Sequence, residues 1–268
     1  MKVVTVVSSK GGVGKTTLAA NLASVLAGLG RRVVVIDLDP QNALRLHLGV
    51  GLDSIDGVSR ATLGGAALNS AMFDGIDGIS VMPYGVLVEE DYRRFEAQLD
   101  QDPFWLSREL ARLGLGEDDV VIVDTPPGTS PYTRNALCAA QIALCVVLAD
   151  AASYAAIPQM ERMIENYGTR RRDFSGYGYV VNQVDQSRQL QKDVLKVLRD
   201  TLGPRLFPGV IHADEGISEA LACDTTLLHY DPLSQGAADL RACGAWLNTL
   251  LDAAHSALGG QSVPRSLA

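Results

Sequence analysis

The chain has 268 residues, 47% of them hydrophobic and 20% charged, with a formal net charge of −8. That length and apolar share suit one large α/β domain or two small ones with a sizeable core. The acidic balance argues against bulk attraction to nucleic acid or anionic lipid.

The first strand-like run, 3–7, leads into Ser8-Ser-Lys-Gly-Gly-Val-Gly-Lys-Thr-Thr and then into residues 15–29, which have helical spacing. The N-terminal strand and loop leave no room for a signal peptide, so none is expected. Strand, glycine loop and helix is the setting of a phosphate-binding loop. Gly11, Gly12 and Gly14 permit positive φ, so that consecutive N–H groups through Val13 line a hollow at the helix N-terminus. Lys15 is placed to reach β and γ phosphates, and Thr16, beside Thr17, offers a hydroxyl to Mg²⁺. The loop implies a nucleoside triphosphate ligand.

The second run, 33–38, leads into Asp37-Leu-Asp-Pro-Gln-Asn. Carboxyl ends of parallel strands face the ligand crevice, which brings Asp37 and Asp39 near the loop. Asp37 is read as support for the Mg²⁺ shell; the alternative is that both carboxylates cap a helix starting near Gln41. Residues 51–78 are rich in Gly, Asp and Ala and are read as loops around a short helix, 58–71. Then come a strand at 79–83, a helix at 92–113 and an apolar strand, 120–124, ending in Asp124-Thr-Pro-Pro-Gly. An apolar strand ending in Asp beside a phosphate loop has the Walker B character of an Mg²⁺ ligand.

Further on, a helix is expected at 131–140, a strand at 142–149, a helix at 154–167 and a strand at 177–182. Arg170-Arg-Arg reads as a solvated loop. A helix at 187–202 carries Arg188, Lys192, Lys196 and Arg199 on one stripe, interrupted by Asp193 and Asp200. A strand at 207–211 precedes His-Ala-Asp-Glu-Gly, and a last helix, 234–258, turns Leu240, Trp246, Leu247, Leu250 and Leu251 toward the core. The alternation predicts a single α/β domain over 1–258, a mostly parallel twisted sheet of about 7–8 strands with helices on both faces. Residues 259–268 have loop composition and are expected to be disordered.

Cys138, Cys145, Cys223 and Cys243 lack Cys-x-x-Cys spacing and stand among small or apolar residues, so they read as free, buried thiols. His47, His212, His229 and His255 show no metal-ligand spacing. No apolar run approaches the ~20 residues of a spanning helix, and a cytoplasmic protein is expected.

Lys-Gly-Gly-Val-Gly-Lys-Thr-Thr, with Ser9 in place of the usual first glycine and the additional Lys10, resembles the deviant phosphate loop of the ParA/MinD family of P-loop ATPases. The resemblance implies ATP and Mg²⁺ as ligands and an ATP-dependent homodimer in which Lys10 reaches the partner's phosphates. Charge lent in trans in this way is worth roughly 10³–10⁵ in rate. It further implies that Lys10, Lys15 and Asp39 are catalytic, with Asp39 orienting the attacking water. Gly128 would sense the γ-phosphate, Asn182 would contact the purine, and the loop after Ile211 would close over the base.

Within that family a MinD-type protein needs a C-terminal basic amphipathic helix, and residues 247–268 hold only Arg265. A ParA-type partition protein grips DNA phosphates with arginines, whereas acids follow Ile211 here, so DNA binding is not expected. Asp39-Pro-Gln-Asn-Ala-Leu-Arg, Met82-Pro-Tyr-Gly, Ala149-Asp-Ala-Ala-Ser-Tyr and Ile211-His-Ala-Asp-Glu-Gly-Ile-Ser-Glu-Ala-Leu resemble the BcsQ family, ParA/MinD-like ATPases encoded with bacterial cellulose synthase. The resemblance, which runs to about residue 251, implies a slow, dimer-dependent ATPase that assembles or positions the cellulose secretion machinery. Other Bcs proteins would be its partners and would recruit it to the inner membrane face or the cell pole without membrane insertion of its own. A DNA partition ATPase is the alternative. An iron–sulfur reductase on the same scaffold needs cysteines soon after Asp124, and none stands there. No second substrate constellation marks a ligase.

Overall fold

The computed structural model describes residues 1–259. Its strands are β1 (Lys2–Val7), β2 (Val33–Asp37), β3 (Phe73–Asp74), β4 (Ser80–Met82), β5 (Val120–Asp124), β6 (Ile142–Leu148) and β7 (Gly176–Asn182). They form one sheet in the order β3-β4-β2-β5-β1-β6-β7, parallel except where β3 runs against β4. Phe73–Asp74 falls in a stretch read from sequence as loop and short helix; two residues are too few for a periodicity to register. The register sets Asp37 of β2 opposite Asp124 of β5, and Val6 of β1 opposite the other side of Asp124. Both carboxylates therefore emerge at the carboxyl edge where β1 ends and the glycine loop begins.

The helices are α1 (Lys15–Gly28), α2 (Leu44–His47), α3 (Val58–Leu63), α4 (Glu89–Gln101), α5 (Trp105–Ala111) and α6 (Pro131–Ala139), followed by α7 (Ala151–Tyr167), α8 (Gln189–Leu202), α9 (Gly216–Ala222), α10 (Leu227–Tyr230) and α11 (Gln235–Gly259). Val4, Val6 and Ile122 pack with Leu18, Leu22 and Leu26 of α1 and with Leu240, Leu247 and Leu251 of α11, while Trp246 and Leu250 lie half-buried against them. The opposite face buries Val34 and Ile36 against Phe95, Trp105 and Tyr132 of α4–α6. Beside it, Cys145 and Val147 lie against Met160 and Ile164 of α7 and Leu195 and Leu198 of α8. Covering both faces explains why the strands are apolar without alternation.

Several expectations change. The helix read at 92–113 is two helices, because Pro103 lacks an N–H and drives Asp102 out of the helical region (φ −129°, ψ 86°). Asp102 then accepts the N–H of Phe104 ahead of α5. Residues 207–211 run along β7, with Phe207 N donating to Tyr179 O and Ile211 N to Val181 O, but they form no strand, and only isolated bridges at Leu206 and His212 flank them. Pro208, without a donor, lies between those bonds. The short helix expected at 58–71 stops at Leu63, before Gly64 and Gly65, and resumes as a 3₁₀ turn over Leu68–Ala71. Cys138, Cys145 and Cys243 are buried, but Cys223 is exposed. Arg171 is tied to Asp173 and to the Ala139 carbonyl, so the triple-arginine loop is not freely solvated throughout. The expected disordered tail lies, from residue 260 onward, outside the described residues. Among the described residues no helix is long and apolar enough to cross a membrane.

Candidate functional site

The glycine loop, residues 8–14, is held from the side by the end of β7. Asn182 Nδ2 donates to Val13 O at 2.8 Å and Gln183 Nε2 to Gly12 O at 3.2 Å. Gln183 has a positive φ of 55°. In a trans peptide the C=O and N–H point in opposite directions. Fixing the Gly12 and Val13 carbonyls on this clamp therefore turns the N–H groups of Val13 and Gly14 the other way. Gly14 (φ 84°) is the N-cap of α1, and a Cβ there would lie 2.4 Å from Asn182 Nδ2. No side chain caps α1 and no acid stands in its first turn, so its N-terminal N–H groups and partial positive charge are left for an anion. Asn182, expected to read a purine, has its amide nitrogen committed to the loop.

At the floor of this hollow are two fully buried carboxylates. Thr16 Oγ1 donates to Asp124 Oδ2 at 2.6 Å. Asp124 Oδ1 is buried and, among the described residues, meets no hydrogen-bond partner of good geometry, although the Thr125 N–H approaches the carboxylate. Burial raises the Asp124 pKa to about 6, against the pull of the Thr16 hydroxyl and Lys15. Burial, and then the neighbouring Asp124, lift Asp37 well above the carboxylate range. Lys15 is buried in turn; desolvation lowers its pKa while Asp124 and Asp39 oppose the shift. An orphaned carboxylate oxygen beside a threonine hydroxyl, two acids and an open anion hollow fits a hard divalent cation carried with phosphate oxygens. No cluster of three or more His, Cys, Asp or Glu able to hold a metal occurs among the described residues. Phosphate oxygens and water would complete the shell of such an ion.

Asp37 accepts the N–H of Asp39 on Oδ1 at 2.9 Å and that of Leu44 on Oδ2 at 3.1 Å. Asp39, half-buried, accepts the N–H of Gln41 at 3.0 Å. Both acids thus support the turn into α2, which starts at Leu44 rather than near Gln41. Lys10 Nζ lies 3.2 Å from Asp150 Oδ1, and the same carboxylate caps α7 through the Ser153 N–H at 2.6 Å. Burial works against the Asp150 charge, but the Ser153 hydrogen bonds and Lys10 outweigh it and its pKa falls. Gly128 N donates to Ser8 O at 2.8 Å, so its N–H is engaged by the phosphate-loop segment.

A cavity of about 840 Å³ opens beside Gly14 and Thr17 and is lined by Asn182, Gln183, Gln186 and His212 among others. His212 Nδ1 lies 2.6 Å from Asp239 Oδ2 and Nε2 lies 2.7 Å from Gln186 Nε2. With neutral imidazole, Nδ1–H donates to the aspartate and Nε2 accepts from the amide. Gln183, Gln186 and the His212–Asp239 pair were missed from sequence. Their partners are remote in the chain, and no local spacing announces them.

The family model for cellulose biosynthesis protein BcsQ matches residues 1–247. The chromosome-partitioning ATPase Soj of Thermus thermophilus is 33% identical over 234 residues, covering 86% of this chain and 88% of Soj. The cellulose biosynthesis protein BcsQ of Salmonella typhi is 28% identical over 237 residues, covering 88% and 90%. Among solved structures, cobyrinic acid a,c-diamide synthase of Mycobacterium smegmatis, with bound ATP analogue and magnesium, superposes with a TM-score of 0.76 at 26% identity, covering 92% of this chain and 94% of that one.

Proposed function

The chain belongs to the BcsQ family, among the ParA-like ATPases, and from that premise we propose that it is an Mg²⁺-dependent ATPase switch. It dimerises on binding ATP and acts in assembling or positioning the cellulose secretion machinery. The observation that carries the reading is the unpartnered Asp124 oxygen next to Thr16, at the foot of a loop whose carbonyls are clamped outward. The ATP analogue and magnesium in the structurally similar synthase support the same ligand pair here.

In this reading the N–H groups of Val13, Gly14 and the first turn of α1 bind phosphate oxygens, and Lys15 adds its charge. Thr16 and Asp124 hold the cation, and Asp37 keeps the turn at Asp39 in place. Bound magnesium and ATP supply the reactive phosphoryl group and spread its negative charge. Asp39 orients water, and Lys10 leaves Asp150 to serve the twin's nucleotide. The cavity beside Asn182 and His212 takes the base. Residues 1–258 act as one cytoplasmic ATPase unit, recruited to the membrane face or cell pole through other Bcs proteins.

The test is phosphate release and light scattering with ATP and Mg²⁺. Asp39→Ala should accumulate as a dimer with little turnover, and an Asp39→Ala chain that stays monomeric refutes the switch. The likeness to Soj favours a second reading, DNA partition, through the exposed Arg188, Lys192, Lys196 and Arg199. Arg188 is paired with Asp185, and Asp193 and Asp200 break the stripe. ATP-dependent, salt-sensitive retention on random duplex DNA would establish that reading instead.

A further inference from the structure

The cavity in which the base would lie on the ATPase reading is walled by amides whose nitrogens are already engaged. Asn182 Nδ2 is committed to Val13 O and Gln183 Nε2 to Gly12 O, both in the phosphate loop. Gln186, on the turn between β7 and α8, is committed in another direction: its Nε2 lies 2.7 Å from His212 Nε2. Gln186 and His212 both line the cavity. Among the described residues the side-chain oxygens of Asn182, Gln183 and Gln186 accept no hydrogen bond, so each is left for a ligand.

What orients Gln186 lies on α11. Asp239 Oδ2 accepts the His212 backbone N–H at 2.9 Å and lies 2.6 Å from His212 Nδ1, while Oδ1 accepts Gln235 Nε2 at 2.7 Å. The Asp239 side chain is only 11% exposed and meets donors on both oxygens, so it acts as acceptor and Nδ1 carries the imidazole hydrogen. Nε2 of the neutral ring then presents a lone pair, and the Gln186 atom that meets it is the nitrogen and not the oxygen. The two segments are also tied by backbone, with Val184 N donating to Ile211 O at 2.9 Å and Ala213 N to Val184 O at 3.0 Å.

A free glutamine amide serves a 6-amino or a 6-keto purine equally well, because it can turn over and exchange its oxygen for its nitrogen. An anchored one cannot. With its nitrogen held by His212, Gln186 offers Oε1 to an amino group and keeps a second amide hydrogen for a ring nitrogen, the pair that adenine presents. A 6-keto purine would set oxygen against oxygen. Polar groups fixed in this way discriminate more sharply than apolar walls of the same size.

We propose that Gln186, oriented by His212 and through it by Asp239, is the specificity-determining residue that makes the cavity take a 6-amino purine and refuse a 6-keto one. The inference rests on the ATPase reading, which puts the base in this cavity.

The test measures dissociation constants in the full-length Asp39→Ala chain with Mg²⁺, by competition against ATP labelled on the ribose with a fluorophore. The competitors are ATP, ITP with its 6-keto group, and purine riboside triphosphate, which has only hydrogen at that position. The Asp39→Ala parent should bind ATP at least ~10-fold more tightly than ITP, with purine riboside triphosphate between them. Gln186→Met should weaken ATP about 5-fold and leave purine riboside triphosphate within about 2-fold, whereas a merely structural role would weaken both alike. His212→Ala frees the amide to turn over, so ITP should bind more tightly and its deficit against ATP should shrink below ~3-fold. A parent that binds ATP and ITP equally, an ATP-to-ITP ratio unchanged in both variants, or equal losses of ATP and purine riboside triphosphate in Gln186→Met overturn the proposal and leave the ATPase reading standing. A folded wild-type chain that binds no nucleoside triphosphate would defeat that reading, and the inference with it.

Discussion

In the proposed dimer, Lys10 is not free to serve the second protomer while it is paired with Asp150, so Asp150→Asn should favour the ATP-bound dimer. Asparagine caps a helix as well as aspartate does, so α7 keeps the Ser153 bond while Lys10 loses its counter-charge. The side chains of Lys10 and Asp150 are 33% and 43% exposed, which limits their ion pair to ~0.2–1 kcal/mol after solvent screening. Two such pairs open when two protomers meet, for a total of roughly 0.4–2 kcal/mol. The dimer should therefore tighten by about 2- to 30-fold. Sedimentation with ATP and Mg²⁺ in the Asp39→Ala background measures the dissociation constant without turnover. The gain should shrink in high salt, because the lost pair is partly exposed. A dimer of unchanged or weaker affinity, in a variant that melts like its parent, would refute the idea that Asp150 holds Lys10 back.

Asp124→Asn tests the cost of the buried acids. Folded Asp124 keeps its proton up to about pH 6, whereas an unfolded aspartate releases it near pH ~3.9, so the wild-type fold loses stability as pH rises across that window. Denaturation of the nucleotide-free variant at pH 8 should show a gain of up to about 3 kcal/mol that fades toward pH 4, with Mg²⁺-dependent turnover abolished. Equal stability of the two proteins at pH 8 would show that the charge is not costly. Gln183→Ala removes one of the two loop clamps, a hydrogen bond worth ~1 kcal/mol, and should raise KM for ATP about 5-fold with little change in kcat. Steady-state kinetics decide it, and an unchanged KM would mean that Asn182 alone sets the loop. Lys10→Ala should lower turnover by roughly 10³-fold or more while nucleotide binding by the monomer persists. Filter binding and phosphate release separate the two quantities.

What was legible in the sequence was local. Val3 to Val7, the glycine loop and α1 are contiguous, and Asp37 and Asp124 each end an apolar strand, so parallel pairing had to deliver both to one edge. The contacts that set their behaviour were not local. Lys10 meets Asp150, Gly12 meets Gln183 and His212 meets Asp239 only because β6, β7 and α11 close around β1 and α1. Pattern also failed where backbone chemistry overrode it. Pro103 splits a long amphipathic stretch, and Pro208 interrupts the apolar run 207–211, which reads as a strand in the sequence but forms none in the fold.

The same placements explain why the turn after β2 carries so much buried polarity. Asp37 spends both oxygens on backbone N–H groups of the turn it precedes, and Arg45 spends its guanidinium on carbonyls of the loop that follows. Neither group is cheap to bury, and apolar residues would fill the space at lower cost. Directional bonds, however, fix the segment in register in a way that apolar packing does not. Burial first and Asp124 next raise the Asp37 pKa, and its two oxygens hold the Asp39 and Leu44 N–H groups, so a charge bound at Asp124 would act on the start of α2 through Asp37. Charge at the nucleotide floor would then be felt along α2 and at the loop that Arg45 holds, with no rearrangement of the sheet.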